Sequence, residues 1–342
     1  MSPKCLFCVL ILAVCFVPLP AAGPPVLPRD TLPDKLSLTE IPLGLESKRP
    51  VPADNPLTEA KVRLGRKLFF DPILSADRSV SCASCHHPDH GFAGPKPLAV
   101  GIAGKKGKRN APSLLNRAYG AAFFWDGREA TLEAQALHPI ASPLEMGATV
   151  NEAVKRLRAN QEYESQFRNA FAEGATAVNL ARALASFERV LLSGGTPVDQ
   201  FRTGKVQALS ASERHGLWLY ESRARCWRCH SGSNFTDEGF HNTGVSWGKT
   251  PADGGRYEVT RQEADRGRFK TPSLRGLTAT APYMHDGSLA TLEDVVEFYN
   301  GGGGKNPNLD PAVQPLGLSK SEVKDLAAFL RALSAGVSER RQ

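Results

Sequence analysis

Beyond its first 22 residues the chain is poor in sulfur. Of seven cysteines, Cys5, Cys8 and Cys15 lie near the N-terminus and the other four form two close pairs. A disulfide-dense scaffold is therefore excluded. Methionine is scarcer still: apart from Met1 there are only Met146 and Met284. Long apolar runs are lacking too. The one candidate, Leu6 to Val17, follows Lys4 and precedes Pro20-Ala21-Ala22. It is too short for a membrane span and reads as the core of a secretory signal peptide over residues 1–22. The expectation is a periplasmic mature protein with no membrane span. Runs of alternating apolar and polar residues are also missing, so the fold is predicted to be mainly α with little strand.

What is present centres on the remaining cysteines. Cys82-Ala83-Ser84-Cys85-His86 and Cys226-Trp227-Arg228-Cys229-His230 are two C-x-x-C-H pentads, 144 residues apart. This is the attachment signature of c-type haem. Residues i and i+3 share one face of a helical turn, so both thiols reach the vinyl groups of one porphyrin, and the adjacent histidine ligates iron. A structural zinc site would join two such pairs over a much shorter spacing. The prediction is two covalently bound haem c groups, on Cys82 and Cys85 and on Cys226 and Cys229. His86 and His230 are the proximal ligands. The formal charge of +7 then gives no case for a nucleic-acid partner, because loss of Lys4 with the signal segment and four haem propionates bring the total to about +2. The run Lys105-Lys106-Gly107-Lys108-Arg109 is expected to be a solvated loop or a propionate clamp rather than a docking patch.

The order of elements repeats. Residues 23–56 are proline-rich and read as an extended leader. A helix is expected over 58–70 before the first pentad, and another over 131–137. Two long ones follow over 151–171 and 176–192, the first opened by a capping box at Thr149 and Glu152. Ser193-Gly194-Gly195-Thr196-Pro197 is the best boundary. It divides an N-terminal haem domain, 57–195, from a C-terminal one, 196–342. The second half restarts with a box at Ser210 and Glu213 and a helix to 222. After the second pentad come helices over 291–299 and 319–333, the latter capped by Ser319 and Glu322. The fold class is thus mainly α: two cytochrome-c-like haem domains with long loops.

Several ordered segments resemble the bacterial di-haem cytochrome c peroxidases and their MauG-type relatives. They are Arg109 to Ser113, Phe124 to Arg128, Leu132 to Ala136, Pro143 to Met146, Phe269 to Arg275 and Ala281 to Gly287, with both pentads. The resemblance implies an oxidoreductase that cleaves hydrogen peroxide at the first haem. Electrons would come through the second haem from a small redox protein such as a cytochrome c. Glu145 would be the distal acid/base, Gln135 its hydrogen-bonding neighbour, and Trp125 the electron relay between haems. Asn110, Thr280 and Pro282 match positions that hold a calcium ion.

Two departures refine this. In many such peroxidases a histidine between the first pentad and the Arg-Asn segment blocks the peroxidatic iron. The corresponding residue here is Ile102, which cannot ligate, so the first haem is expected to be open. His87 and His90 are expected at the haem rim. The second iron usually takes a methionine, but that position is Tyr299, as in MauG-type proteins. Met284, His285 and His241 are its rivals as ligand. A phenolate favours oxidised iron. This keeps open a MauG-type alternative in which a side chain of a partner protein is the substrate oxidised. A non-catalytic di-haem electron carrier is the third reading, and the Glu145/Gln135 pair argues against it.

Overall fold

The computed structural model describes residues 27–249 and 252–335. Residues 1–22, expected to be a signal peptide, lie outside them. The helices are α1 (Glu59–Phe70), α2 (Cys82–Cys85), α3 (Leu132–Ala141), α4 (Val150–Ala159), α5 (Gln161–Ala170), α6 (Ala177–Arg189), α7 (Pro197–Arg202), α8 (Ala211–Glu221), α9 (Tyr257–Thr260), α10 (Leu292–Asn300) and α11 (Lys320–Arg331). The sheet among these residues is one short antiparallel pair, β1 (Phe240–His241) and β2 (Phe269–Lys270). None of the described helices is long and apolar enough to cross a membrane.

The predicted capping boxes open α4, α8 and α11. The long helix expected over 151–171 is in fact two. Asn160 takes an extended conformation, and its side chain accepts from the backbone N–H groups of Glu162 and Tyr163. An asparagine that satisfies the free N–H groups of a new helix start stops the preceding helix.

Two large apolar clusters form, one with Leu68, Ile140, Leu157 and Phe167, the other with Leu219, Val296, Leu326 and Phe329. A third cluster, around Val62, Phe69, Phe92 and Phe187, takes Leu32, Leu36 and Leu38 from the leader as its cover. The leader is therefore packed into the fold rather than laid over it. Arg66 donates to Asp30 and to the carbonyls of Leu32 and Pro33.

The weak repeat in the sequence becomes sharp in three dimensions. In each half the helix before the pentad crosses the last helix at a glycine. A Cβ on Gly65 would lie 2.0 Å from the Ala183 carbonyl oxygen, and one on Gly216 would lie 2.0 Å from that of Asp325. Only glycine permits so close an approach. Arg189 grips Glu133 in the first half as Arg331 grips Glu293 in the second. The isolated bridges Phe123–Glu129 and Tyr283–Leu289 correspond as well. They align Trp125-Asp126-Gly127 with His285-Asp286-Gly287.

Candidate active site

The histidine of each pentad is oriented by the backbone. His86 Nδ1 lies 3.1 Å from the Phe92 carbonyl oxygen and 3.0 Å from that of Pro112. His230 Nδ1 lies 3.1 Å from the Phe235 carbonyl oxygen, and the Pro272 carbonyl is its second partner. Phe92 and Phe235 occupy the left-handed region, at φ 56° and 50°, where non-glycine residues are uncommon. A proton fixed on Nδ1 leaves Nε2 as the ligating atom. Burial lowers the pKa of both rings, that of His230 to about 4, which favours the neutral imidazole that a metal ligand needs. None of the four pentad cysteines is joined in a disulfide. Burial pushes Cys82 and Cys226 up to about 12, which suits groups destined for thioether bonds rather than for thiolate chemistry.

A cavity of about 400 Å³ opens in front of His86 and is lined from both halves of the chain. Cys82, Cys85, Trp125, Gln135 and Glu145 all line it. Gln135 comes from α3 and Glu145 from the turn that follows it. Ile102 does not line the cavity. Its N–H donates to the Glu145 carbonyl at 2.9 Å, and its side chain packs against the turn at Gly147. Gly101 lies so close to the Leu144 and Glu145 backbone that a Cβ would meet the carbonyl oxygens at 2.1 and 2.4 Å. The segment that would carry a blocking ligand thus supports the distal turn from behind. His87 and His90 do not line the cavity either; their rings meet edge to face, with centroids 5.2 Å apart.

Trp125 joins the two halves. Its indole N–H donates to the Asn110 carbonyl at 2.9 Å, and its own carbonyl accepts from Lys270 N–H at 2.7 Å. Asn110 is two residues from Pro112, and Lys270 is two residues from Pro272. From Trp125, then, one hydrogen bond and a short run of backbone lead to each proximal histidine. The ring also meets His285 edge to face, at 6.3 Å between centroids.

Around the second pentad, Tyr299 lies near both Cys226 and Cys229, and a hydrogen bond with Thr243 involves its side chain. Burial pushes its phenol up to about 12, so a phenolate there requires a cation beside it. Its rivals as iron ligand are otherwise engaged. Met284 lines the first cavity. His285 stacks on Phe269 at 3.6 Å and is hydrogen-bonded to Ser246 through Nε2. His241 lies beside Cys229, but its two nitrogens meet Asp310 at 2.6 Å and Asp237 at 2.8 Å.

Asn110, Thr280 and Pro282 line the same cavity. Asn110 Nδ2 donates to the carbonyls of Gly94 and Lys96, which turns Oδ1 away from them. The lysine-rich run is not one unit. Lys105 donates to the Pro143 carbonyl, whereas Arg109 is nearly buried between Asp126 at 2.6 Å and Asp253 at 2.7 Å. It is a tie between the halves rather than a solvated cation.

Glu188 and Lys270 escaped the reading of the sequence. Both line the first cavity. Glu188 is 6% exposed, and its Oε2 has no hydrogen-bond partner. The repeat places Leu330 at the equivalent point of the second half, and aligning α6 with α11 would have flagged the carboxyl. Burial raises Glu188 from 4.5 to about 8. Between those values the native state holds a proton that the unfolded chain has released, so its contribution to stability falls as pH rises through that window. Glu188→Gln should flatten this decline. Thermal unfolding of both proteins from pH 5 to pH 8 checks it, and parallel profiles would refute it.

A family model described as di-haem cytochrome c peroxidase matches residues 59–207. The chain is 44% identical over 288 residues to the methylamine utilization protein MauG of Methylorubrum extorquens, covering 84% of this chain and 81% of that one. It is 38% identical to the cytochrome-c peroxidase IdrP1 of Denitromonas iodatirespirans, with 86% of each covered. A solved MauG-like protein associated with microbial copper homeostasis superposes with a TM-score of 0.77 at 32% identity, covering 89% of this chain and 96% of that one. Two pentads, two backbone-oriented histidines and these relatives make the chain a member of the di-haem cytochrome c peroxidase and MauG family of oxidoreductases, which carry two c-type haems.

Proposed function

We propose that the chain is an exported, periplasmic peroxidase that reduces hydrogen peroxide to water with electrons from a small redox protein. The observation that carries this is the convergence of Glu145 and Gln135 on the cavity in front of His86, with Ile102 turned away from it. The haem iron, when bound, supplies the redox chemistry of O–O cleavage. In our reading Glu145 takes a proton from the near peroxide oxygen and delivers it to the far one, and Gln135 holds the peroxide by hydrogen bonding. The balance is one peroxide, two protons and two electrons to two waters. Trp125 passes the electrons between the halves, which meet near residue 195. Asn110 Oδ1, with the carbonyls of Thr280 and Pro282, would offer a hard cation such as calcium oxygen donors at this junction.

Steady-state oxidation of reduced cytochrome c or a reduced blue-copper protein, dependent on peroxide, tests the proposal. An EPR spectrum of the oxidised protein should show one high-spin and one low-spin haem. Two low-spin signals would mean that the first iron is blocked.

Tyr299 favours a second reading, MauG-type oxidation of a side chain in a partner protein, because an anionic ligand holds the second haem oxidised. Tyr299→Phe removes that ligand. It should convert the low-spin signal to high-spin while leaving the first haem's spectrum unchanged; an unaltered low-spin haem would remove Tyr299 from the iron. If the oxidised protein reacts with peroxide but turns over reduced donors poorly, the MauG-type reading wins.

A further inference from the structure

The two haem-attachment segments differ in what they present to solvent. Between the cysteines of the first lie Ala83, which is 0% exposed, and Ser84. Between those of the second lie Trp227, 47% exposed, and Arg228, also exposed. Trp227 directly follows Cys226 and lies two residues before Cys229, so it sits between the two positions at which the second haem would be attached. Three exposed arginines, Arg223, Arg225 and Arg228, fall within six residues around it. Arg223 is paired with Glu322. Arg225 is hydrogen-bonded at 2.9 Å to the neutral Gln314, so its charge is not cancelled there. Tryptophan and arginine are the residues that most often anchor protein interfaces, and uncancelled positive charge steers acidic partners toward the spot.

We propose that Trp227, rimmed by Arg225 and Arg228, anchors the docking surface for a soluble electron-donor protein with an acidic face, beside the second haem. The inference rests on the peroxidase reading above. Each docked donor gives up one electron to the second haem and is itself oxidised by one electron. Two such events balance the reduction of one peroxide, with two protons, to two waters.

Turnover of a reduced, acidic blue-copper protein is compared with turnover of hydroquinone, a small neutral donor that needs no docking face. Wild type, Trp227→Ala and Arg228→Glu are each first shown to carry two haems per chain. Both variants should lose about tenfold in kcat/KM for the acidic protein, roughly 1.4 kcal/mol of transition-state stabilisation, and keep their rate with hydroquinone. Arg228→Glu should also weaken the dependence of the protein reaction on ionic strength. Unchanged kcat/KM for the acidic protein in both variants overturns the proposal, as does an equal loss with both donors. A wild type inert to both donors refutes the peroxidase reading, and this docking surface with it.

Discussion

Glu145→Gln should slow the reaction of the oxidised protein with hydrogen peroxide by about 10²- to 10⁴-fold, the usual contribution of a positioned general acid/base. The glutamine keeps the length and hydrogen-bonding capacity of the side chain but cannot carry the proton from one peroxide oxygen to the other. The distal turn should survive the change. It is held by backbone: the Glu145 N–H donates to Ser142, and its carbonyl accepts from Ile102. Stopped-flow absorbance after mixing with peroxide measures the rate directly, without any electron donor. A variant that reacts at the wild-type rate would show that Glu145 has no acid/base role. Gln135 would then be the only remaining distal candidate proposed in the cavity.

Trp125→Phe should leave that first reaction nearly intact and cut turnover with a protein donor by at least about tenfold, or some 1.4 kcal/mol. Phenylalanine fills much of the same space but is far harder to oxidise, and it lacks the N–H that donates to Asn110 at 2.9 Å. Leaving a partly buried carbonyl without its donor costs about 1–3 kcal/mol, so a lower melting temperature should accompany the kinetic loss. The diagnostic is the split between the two rates. Rapid peroxide reaction with slow donor turnover places the defect between the haems. Slowing of both rates to the same degree would mean that the indole shapes the peroxide site instead, and unchanged turnover would rule out a relay through Trp125.

Much of this was readable in the chain because the chemistry of covalent haem is local. Two thiols three residues apart and the next histidine must act on one porphyrin, so the pentads carry their meaning without the fold. Helix starts were legible for the same reason, since a cap such as Thr149 with Glu152 acts within one turn. Asn160 was misread for the opposite one. Its flanking residues keep helical apolar spacing, and only the choice of its side chain to cap a new helix breaks the run.

By itself, then, the sequence determined the helical class and the pair of c-type haems, and it marked the two pentads as the expected places of their attachment. These depend on residues within a few positions of one another. Tertiary structure decided which face of each long loop meets the haem cavity. It turned Ile102 away from the cavity at His86 and onto the Glu145 turn, and it put Met284 at that same cavity. It also connected Trp125 to both proximal histidines through carbonyls of Asn110 and Pro112 and the backbone from Lys270 to Pro272. Those contacts join segments far apart in the chain. Packing and the pairing of buried backbone groups select them, and no local pattern of residue types encodes that selection.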